Sequence, residues 1–235
     1  MIKSYLVLAS TGILGYSFAA HLFTLGCTWR GPRTGTAVAL TFDDGPDPEY
    51  TPRVLDILAA RDVRATFFLV GSRAERSPDT VKLIHAAGHE IASHGWSHRN
   101  LWICGPRRTF REIGRTRDLL QSLTGAAPTL FRPPWGAVNT AMFGALKRYH
   151  QRCVFWSVQP EGLRPQPPDR QTDYVLRKAR PGMIVDLHDA EGTKGAPARL
   201  CEALPDMIQG LQQRGYRLTT VSDMLPRTAD QPLLP

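Results

Sequence analysis

Between Thr36 and Val221 the chain repeats one device, a short apolar run that ends in polar residues and is followed by apolar residues at helical spacing. Ala37-Val38-Ala39-Leu40-Thr41-Phe42 is the first such run, and Asp43-Asp44-Gly45-Pro46 ends it. Val63–Val70, His89–Ser93, Thr129–Arg132, Cys153–Val158, Met183–His188 and Tyr216–Val221 repeat the strand signature. Thr51-Pro52 reads as an N-cap with proline at the first helical position, and Val54, Leu55 and Leu58 stripe the helix behind it. Val81, Ile84 and Ala87 stripe the next helix, ended by Gly88; Phe110, Ile113, Leu120 and Leu123 mark a longer one closed by Gly125. Further helices are expected around Met142–Tyr149, Asp173–Ala179 and Leu200–Arg214. Strands separated by helices cannot pair as hairpins. They imply a parallel sheet and, at 235 residues, one barrel-like α/β domain.

Composition narrows the class. A hydrophobic share of 42% with 21% charged residues is that of a chain with a packed core rather than a disordered one. The formal charge of +8 favours acidic partners, but the basic residues are mostly isolated arginines without an aromatic-rich basic stripe, so nucleic acid is not expected. The four cysteines form no C-x-x-C pair, which excludes a zinc ribbon and leaves one disulfide or buried free thiols as alternatives. After Lys3, the run from Tyr5 to Cys27 is apolar apart from small hydroxyl residues and His21, near the ~20 residues that cross a bilayer. Residues 1–27 thus read as an apolar helix serving as membrane anchor, or as a cleavable signal with Ser17-Phe18-Ala19 at the right spacing; a buried core helix is the alternative. Anchored or secreted, the domain would lie on the extracytoplasmic side. Residues 28–35 read as a polar linker, 36–225 as the folded domain and 226–235 as an unpacked tail.

In parallel α/β folds reactive groups gather at the carboxyl ends of strands. Here those ends carry Asp43-Asp44, His94 and His98, Arg132, and His188-Asp189. Histidines four apart in His94-Gly95-Trp96-Ser97-His98 can share one cation on a helical turn or a tight loop, or can simply be two surface side chains. Two imidazoles and one carboxylate leave metal positions open for water and substrate. Adjacent carboxylates in a cleft repel, and a cation with a nearby arginine relieves that repulsion.

Thr41-Phe42-Asp43-Asp44-Gly45-Pro46, His94-Gly95-Trp96-Ser97-His98, Arg132-Pro133-Pro134-Trp135 and Leu187-His188-Asp189 resemble the ordered motifs of the polysaccharide deacetylase family, also called the NodB-homology domain or carbohydrate esterase family four. The resemblance runs from about Thr36 to Leu225. It implies a distorted (β/α) barrel that hydrolyses N-acetyl groups on sugar polymers with a divalent ion, usually zinc, with Co2+, Ni2+ or Mn2+ as alternatives. By motif position Asp44, His94 and His98 would hold the metal. Asp43 would be the general base paired with Arg132, and His188 the general acid. The backbone N–H of Trp135 would help hold the oxyanion, with Pro133 beside it at the substrate. The expected partner is an envelope polysaccharide or a lipid-linked sugar. O-deacetylation by the same chemistry and an inactive sugar-binding domain are the rival readings.

The match departs at two places. The family's fourth motif resembles W-x-V-D-x-x-D-W, whereas this chain has Trp156-Ser157-Val158-Gln159-Pro160-Glu161-Gly162. The Leu expected two residues before the catalytic His is Asp186. Residues two apart on a strand share a face, so Asp186 would stand beside His188 and could replace the missing Asp as the charge that tunes it. The same exchange makes the acyl pocket less apolar, which suits a formyl group or an unusual sugar; a degraded site is the alternative. Trp102 and Trp135 are candidate sugar platforms, Trp156 a core residue, and Glu161 and Arg164 candidate cleft residues.

Overall fold

The computed structural model of the protein describes residues 26–162 and 164–226. The expected N-terminal apolar helix and most of the tail lie outside them; among the described residues no helix is long and apolar enough to cross a membrane. Among the described residues seven strands alternate with eight α-helices: β1 Ala37–Asp43, α1 Tyr50–Ala59, β2 Thr66–Leu69, α2 Gly71–Arg76, α3 Pro78–Ala86, β3 Glu90–Ser93, α4 Pro106–Thr124, β4 Leu130–Phe131, α5 Thr140–Arg148, β5 Arg152–Cys153, α6 Pro168–Lys178, β6 Ile184–His188, α7 Ala196–Gln213, β7 Arg217–Thr219 and α8 Val221–Met224. All strand pairs are parallel, in the order β5-β4-β3-β2-β1-β6, with β7 beside the start of β1. Thr41 pairs with Asp186 and Asp43 with His188, so the polar ends of β1 and β6 arrive side by side.

Most of the strand expectations hold within a few residues, and the exception is informative. Cys153–Val158 was expected as one strand, but β5 stops at Cys153. The carbonyls of Val154 and Phe155 accept from Nε and Nη2 of Arg132, at 3.3 and 3.0 Å, and the Phe155 N–H donates to Thr28. A side chain has taken the place of a neighbouring strand. Pairing resumes at Val158, which bridges Val185 and accepts the Asp186 N–H at 2.9 Å, so the curved sheet closes on itself through a single bridge. This is the distorted barrel.

The core explains why the helices lie where they do. Phe42 and Phe67 stack at 4.8 Å, and Leu204, Met207, Ile208 and Leu211 line one face of α7 against them. Each such side chain contributes roughly 1.5–3 kcal/mol on burial. Both α6 and α7 begin earlier than the apolar stripes suggest, because Pro168 and Pro197 supply first-turn proline. Thr51 is not a cap: α1 starts at Tyr50, and the Thr51 hydroxyl accepts from the Asp47 N–H and donates to Asp189.

Residues 28–35 are also not a free linker. Thr28 bridges Val154, Trp29 stacks on Phe155 at 4.1 Å, and the Gly31 N–H donates to Gly182 at 2.8 Å. The Thr28 N–H donates to the Cys153 carbonyl and the Thr28 carbonyl accepts from Phe155, so this segment satisfies backbone groups left open at the β5 break. All four cysteines are free thiols, and Cys27 packs beside the buried Cys153.

Two glycines test this docking. Gly182 has φ +75°, and a Cβ there would stand 2.4 Å from the Gly31 and Pro32 carbonyls, whereas Gly215, at φ +81°, has nothing within 4 Å. Gly215→Ala should cost about 1 kcal/mol of left-handed strain, and Gly182→Ala roughly 3 kcal/mol because overpacking adds to it. Urea unfolding of both variants reads the difference; equal losses would mean that residues 31–32 do not sit on the domain.

Candidate active site

β1 delivers Asp43 to the rim of the barrel, and the chain then turns left-handed at Asp44, at φ 72°. Aspartate is among the few residues that tolerate this. Arg73 of α2 clamps the turn, donating to the Asp44 carbonyl at 2.7 Å and to the Glu191 carbonyl at 3.1 Å. Glycine is required on both sides of it. A Cβ at Gly45 would lie 2.6 Å from Asp189 Oδ1, and one at Gly192 2.5 Å from Asp44 Oδ2.

Beyond β3 the segment His94–His98 is a tight loop rather than a helical turn. His94 is buried, and its Nδ1 lies 2.8 Å from the Arg132 carbonyl. A carbonyl only accepts, so Nδ1 carries the proton and the Nε2 lone pair points away. That Nε2 lies 3.6 Å from Asp44 Oδ1 and 3.7 Å from Asp43 Oδ2, while His98 Nε2 lies 2.8 Å from Asp44 Oδ1. Burial, with the neighbouring His98, pulls the His94 pKa down to about 3, which keeps its ring neutral. Burial works against the Asp44 charge, but the facing His98 and His94 rings outweigh it, and its carboxyl lies below the ordinary range.

Asp44, His94 and His98 offer ligand atoms that all lie within 4.8 Å of one another. The donor set fits a divalent ion on a second count. Asp44 Oδ1 is buried and accepts no well-formed hydrogen bond, although two ring nitrogens face it. A cation would satisfy that oxygen and both lone pairs together.

Arg132 lies fully buried beneath this cluster. Its Nη1 contacts Asp43 Oδ1 at 2.6 Å, Thr41 Oγ1 at 2.8 Å and Asp186 Oδ1 at 3.2 Å, and the guanidinium covers the Phe68 ring at 4.0 Å. Burial raises the Asp43 pKa well above the usual carboxylate value, Arg132 opposing and Asp186 adding to the rise. A cavity of about 520 Å³ opens over the cluster, lined by Asp43, Asp44, His94, His98, Trp135 and His188 among others.

Proteins of similar sequence and fold identify the family. A family model described as polysaccharide deacetylase matches residues 30–154. The chain is 35% identical over 200 residues to a peptidoglycan-N-acetylglucosamine deacetylase of Bacillus cereus, covering 84% of this chain and 92% of that one. The chain belongs to the polysaccharide deacetylase family. A chitooligosaccharide deacetylase of Sinorhizobium fredii is likewise 35% identical, over 79% of this chain and 91% of its own. A crystal structure of a peptidoglycan N-acetylglucosamine deacetylase superimposes with a TM-score of 0.82 at 33% identity, covering 89% of this chain and 99% of that one. As a polysaccharide deacetylase the protein is a hydrolase of amide bonds.

Within this deacetylase the remaining candidates divide. Asp186 lines the cavity with His188, but its partners are Arg132 and Asp43; among the described residues it makes no ion pair with His188. Its contacts therefore lie toward Arg132 and Asp43 rather than His188, the neighbour that the strand pattern suggested. Burial raises its pKa to about 7, Arg132 opposing. Trp135 sits at φ 62° with its ring exposed, and its indole N–H donates to the His98 carbonyl at 3.3 Å. Pro133 is buried and does not line the cavity. Trp156, expected in the core, lines the cavity too, whereas Trp102 does not. Glu161 is buried and bonded to Arg199 and Gln171, so it is a loop anchor rather than a cleft residue.

Two supports were missed in the sequence. Glu112 of α4 accepts the Trp96 and Ser97 N–H groups, at 3.1 and 2.7 Å, and the Ser97 hydroxyl at 2.8 Å, so it holds the histidine loop. The available signal was a carboxylate beside Ile113 on the apolar face of its helix. Asp189 is fully buried and takes the Thr51 hydroxyl at 2.5 Å, tying β6 to α1.

Glu112→Ala should weaken metal affinity by about 10- to 100-fold, the usual cost of losing a support behind the ligands. Chelator competition measures it, and wild-type affinity would disprove the role. Burial raises Asp189 to about 7 against the opposing Thr51 bond. The native state thus keeps a proton that the unfolded chain, titrating near 4, releases; this stabilisation is full below about pH 4 and is lost as pH rises through about 7. The stability of Asp189→Asn relative to wild type should therefore improve from about pH 5 to about pH 7, by at most about 1.4 kcal/mol per pH unit. Denaturant titrations across that range test it, and a constant difference would sink it.

Proposed function

We propose that the protein removes N-acetyl groups from amino sugars of a cell-envelope polysaccharide, with a divalent ion held by Asp44, His94 and His98. One observation carries this reading: three ligand atoms within 4.8 Å of one another lie beside the Arg132-bound Asp43, in a cavity that also holds His188. Bound there, the ion would acidify water and stabilise developing negative charge. Two imidazoles and a carboxylate with open positions suit zinc.

The residues of the chain divide the remaining work. Arg132 fixes Asp43 through Oδ1, which leaves Oδ2 toward the cluster. Its raised pKa makes Asp43 a stronger proton acceptor than an exposed carboxylate, the property a general base needs. His188, half-buried across β1, delivers a proton to the departing amine. The Trp135 backbone N–H serves the oxyanion, and its exposed ring gives a sugar a stacking face. Similarity to enzymes named for peptidoglycan and chitooligosaccharides supports an N-acetylated polymer as substrate. An extracytoplasmic location, at the membrane or secreted, rests on the apolar run of Tyr5 to Cys27, and an anchored enzyme would also reach a lipid-linked glycan.

Acetate release should be measured from peptidoglycan strands, N-acetylglucosamine oligomers and acetylated xylan, with metal content determined on the same sample. Release from amino sugars is expected, abolished by chelation and restored by zinc, and Asp43→Asn should lower kcat by about 10²- to 10⁴-fold. Release from xylan alone would make it an esterase, and bound metal without any hydrolysis would leave a sugar-binding domain.

A further inference from the structure

A second concavity, of about 740 Å³, adjoins the catalytic one and shares Gln159 and Gly162 with it. Its far wall is one face of α6. Arg170, Asp173, Tyr174 and Arg177 fall at i, i+3, i+4 and i+7, which places them in a row along the helix. Arg164 faces them from the loop after β5. Three guanidinium groups thus meet one carboxylate. Among the described residues none of the three arginines makes an ion pair, whereas Arg199 nearby is paired with Glu161.

Glu161 and Gln166, on either side of Arg164, are anchored. Buried Glu161 receives Arg199 through Nε at 3.0 Å and again through Nη2, Gln171 at 3.2 Å, and the Gln166 N–H at 3.2 Å. One carboxylate therefore ties both ends of the loop to α6 and α7. The three arginines, all exposed, give this hollow an excess of positive charge that an anion would offset. Guanidinium groups match carboxylate and phosphate oxygens in pairs, and the half-buried Tyr174 ring between them offers an apolar face of sugar size. Lys194 extends the positive charge along the catalytic cavity.

We propose that this hollow is an anion-binding subsite of the substrate cleft, which seats a carboxylate- or phosphate-bearing sugar of the same glycan chain whose neighbouring amino sugar is deacetylated. The inference rests on the reading of the main site as a glycan deacetylase. It makes the preferred substrate an acidic heteropolymer rather than a neutral homopolymer.

The test uses the full chain with metal bound and three tetrasaccharides of N-acetylglucosamine: unmodified, with alternate residues bearing a lactyl carboxylate, and with alternate residues bearing a 6-phosphate. In wild type, kcat/KM for at least one anionic tetramer should exceed that for the neutral one. Arg170→Gln/Arg177→Gln should reduce that ratio by about tenfold through KM, the scale of one or two charge-assisted contacts in an open site. Arg107→Gln/Arg111→Gln, which removes the same charge from α4, should leave the ratio in place. Preference for the carboxylate or for the phosphate alone tells which anion is seated. No preference in wild type, or equal loss in both double variants, overturns the subsite while deacetylation of the neutral tetramer leaves the main reading standing. If no tetramer is hydrolysed, calorimetric binding of the same three ligands applies the same ratio criterion, and an unchanged ratio in Arg170→Gln/Arg177→Gln overturns the subsite.

Discussion

The structure depends on one buried cation. Arg132 is fully enclosed, and five acceptors surround its guanidinium: Thr41, Asp43, Asp186 and the carbonyls of Val154 and Phe155. Burying an unpaired guanidinium would cost several kcal/mol, so it persists only because Nε, Nη1 and Nη2 each donate to an acceptor. In return it holds three things at once: the base carboxylate, the end of β6, and the irregular seam where β5 breaks. Two carboxylates against one guanidinium leave an excess negative charge. Burial, opposed by Arg132, raises the pKa values of both Asp43 and Asp186 and so works against both being ionised at once. A divalent ion at Asp44 would be the natural counterweight.

Around this centre the metal-ligand candidates are fixed by backbone rather than by long side chains. Asp44 is held by a left-handed turn clamped by Arg73, His94 by a carbonyl that sets its tautomer, and the His98 loop by Glu112. Short ligand side chains on constrained loops lose little rotamer freedom when an ion arrives, which is how a site acquires affinity without being deeply enclosed. The cleft wall is more permissive, since His188 and Trp156 are only half-buried and Trp135 is exposed.

Much of this was legible in the sequence. Apolar runs ended by Asp43-Asp44, His94, Arg132 and His188 located the strands and their active ends, because a parallel sheet must place those ends together. The parts that were not legible follow from non-local geometry. No periodicity could show that Arg132 would replace a strand neighbour at Val154, nor that residues 28–31 would fill the gap beside it. Asp186 was placed on the right face, yet strand alternation says nothing about whether a side chain leans along or across the sheet, and it turned to Arg132 instead of His188. Glu112 went unrecognised and Glu161 was read as a cleft residue, because a buried carboxylate serving backbone N–H groups looks, in one dimension, like any helix or loop acid.

The double duty of Arg132 has an evolutionary corollary. Its loss would open the barrel seam as well as free the base, so the fold itself selects for it whether or not the chain still turns over substrate. His188, by contrast, lines the cavity half-buried and, on the proposed reading, serves the reaction rather than the seam. A descendant released from selection for activity would shed the histidine first and keep the arginine long afterwards. In a newly found relative, then, an intact Arg132 attests only to a sound barrel, and an intact His188 is the better witness to a living enzyme.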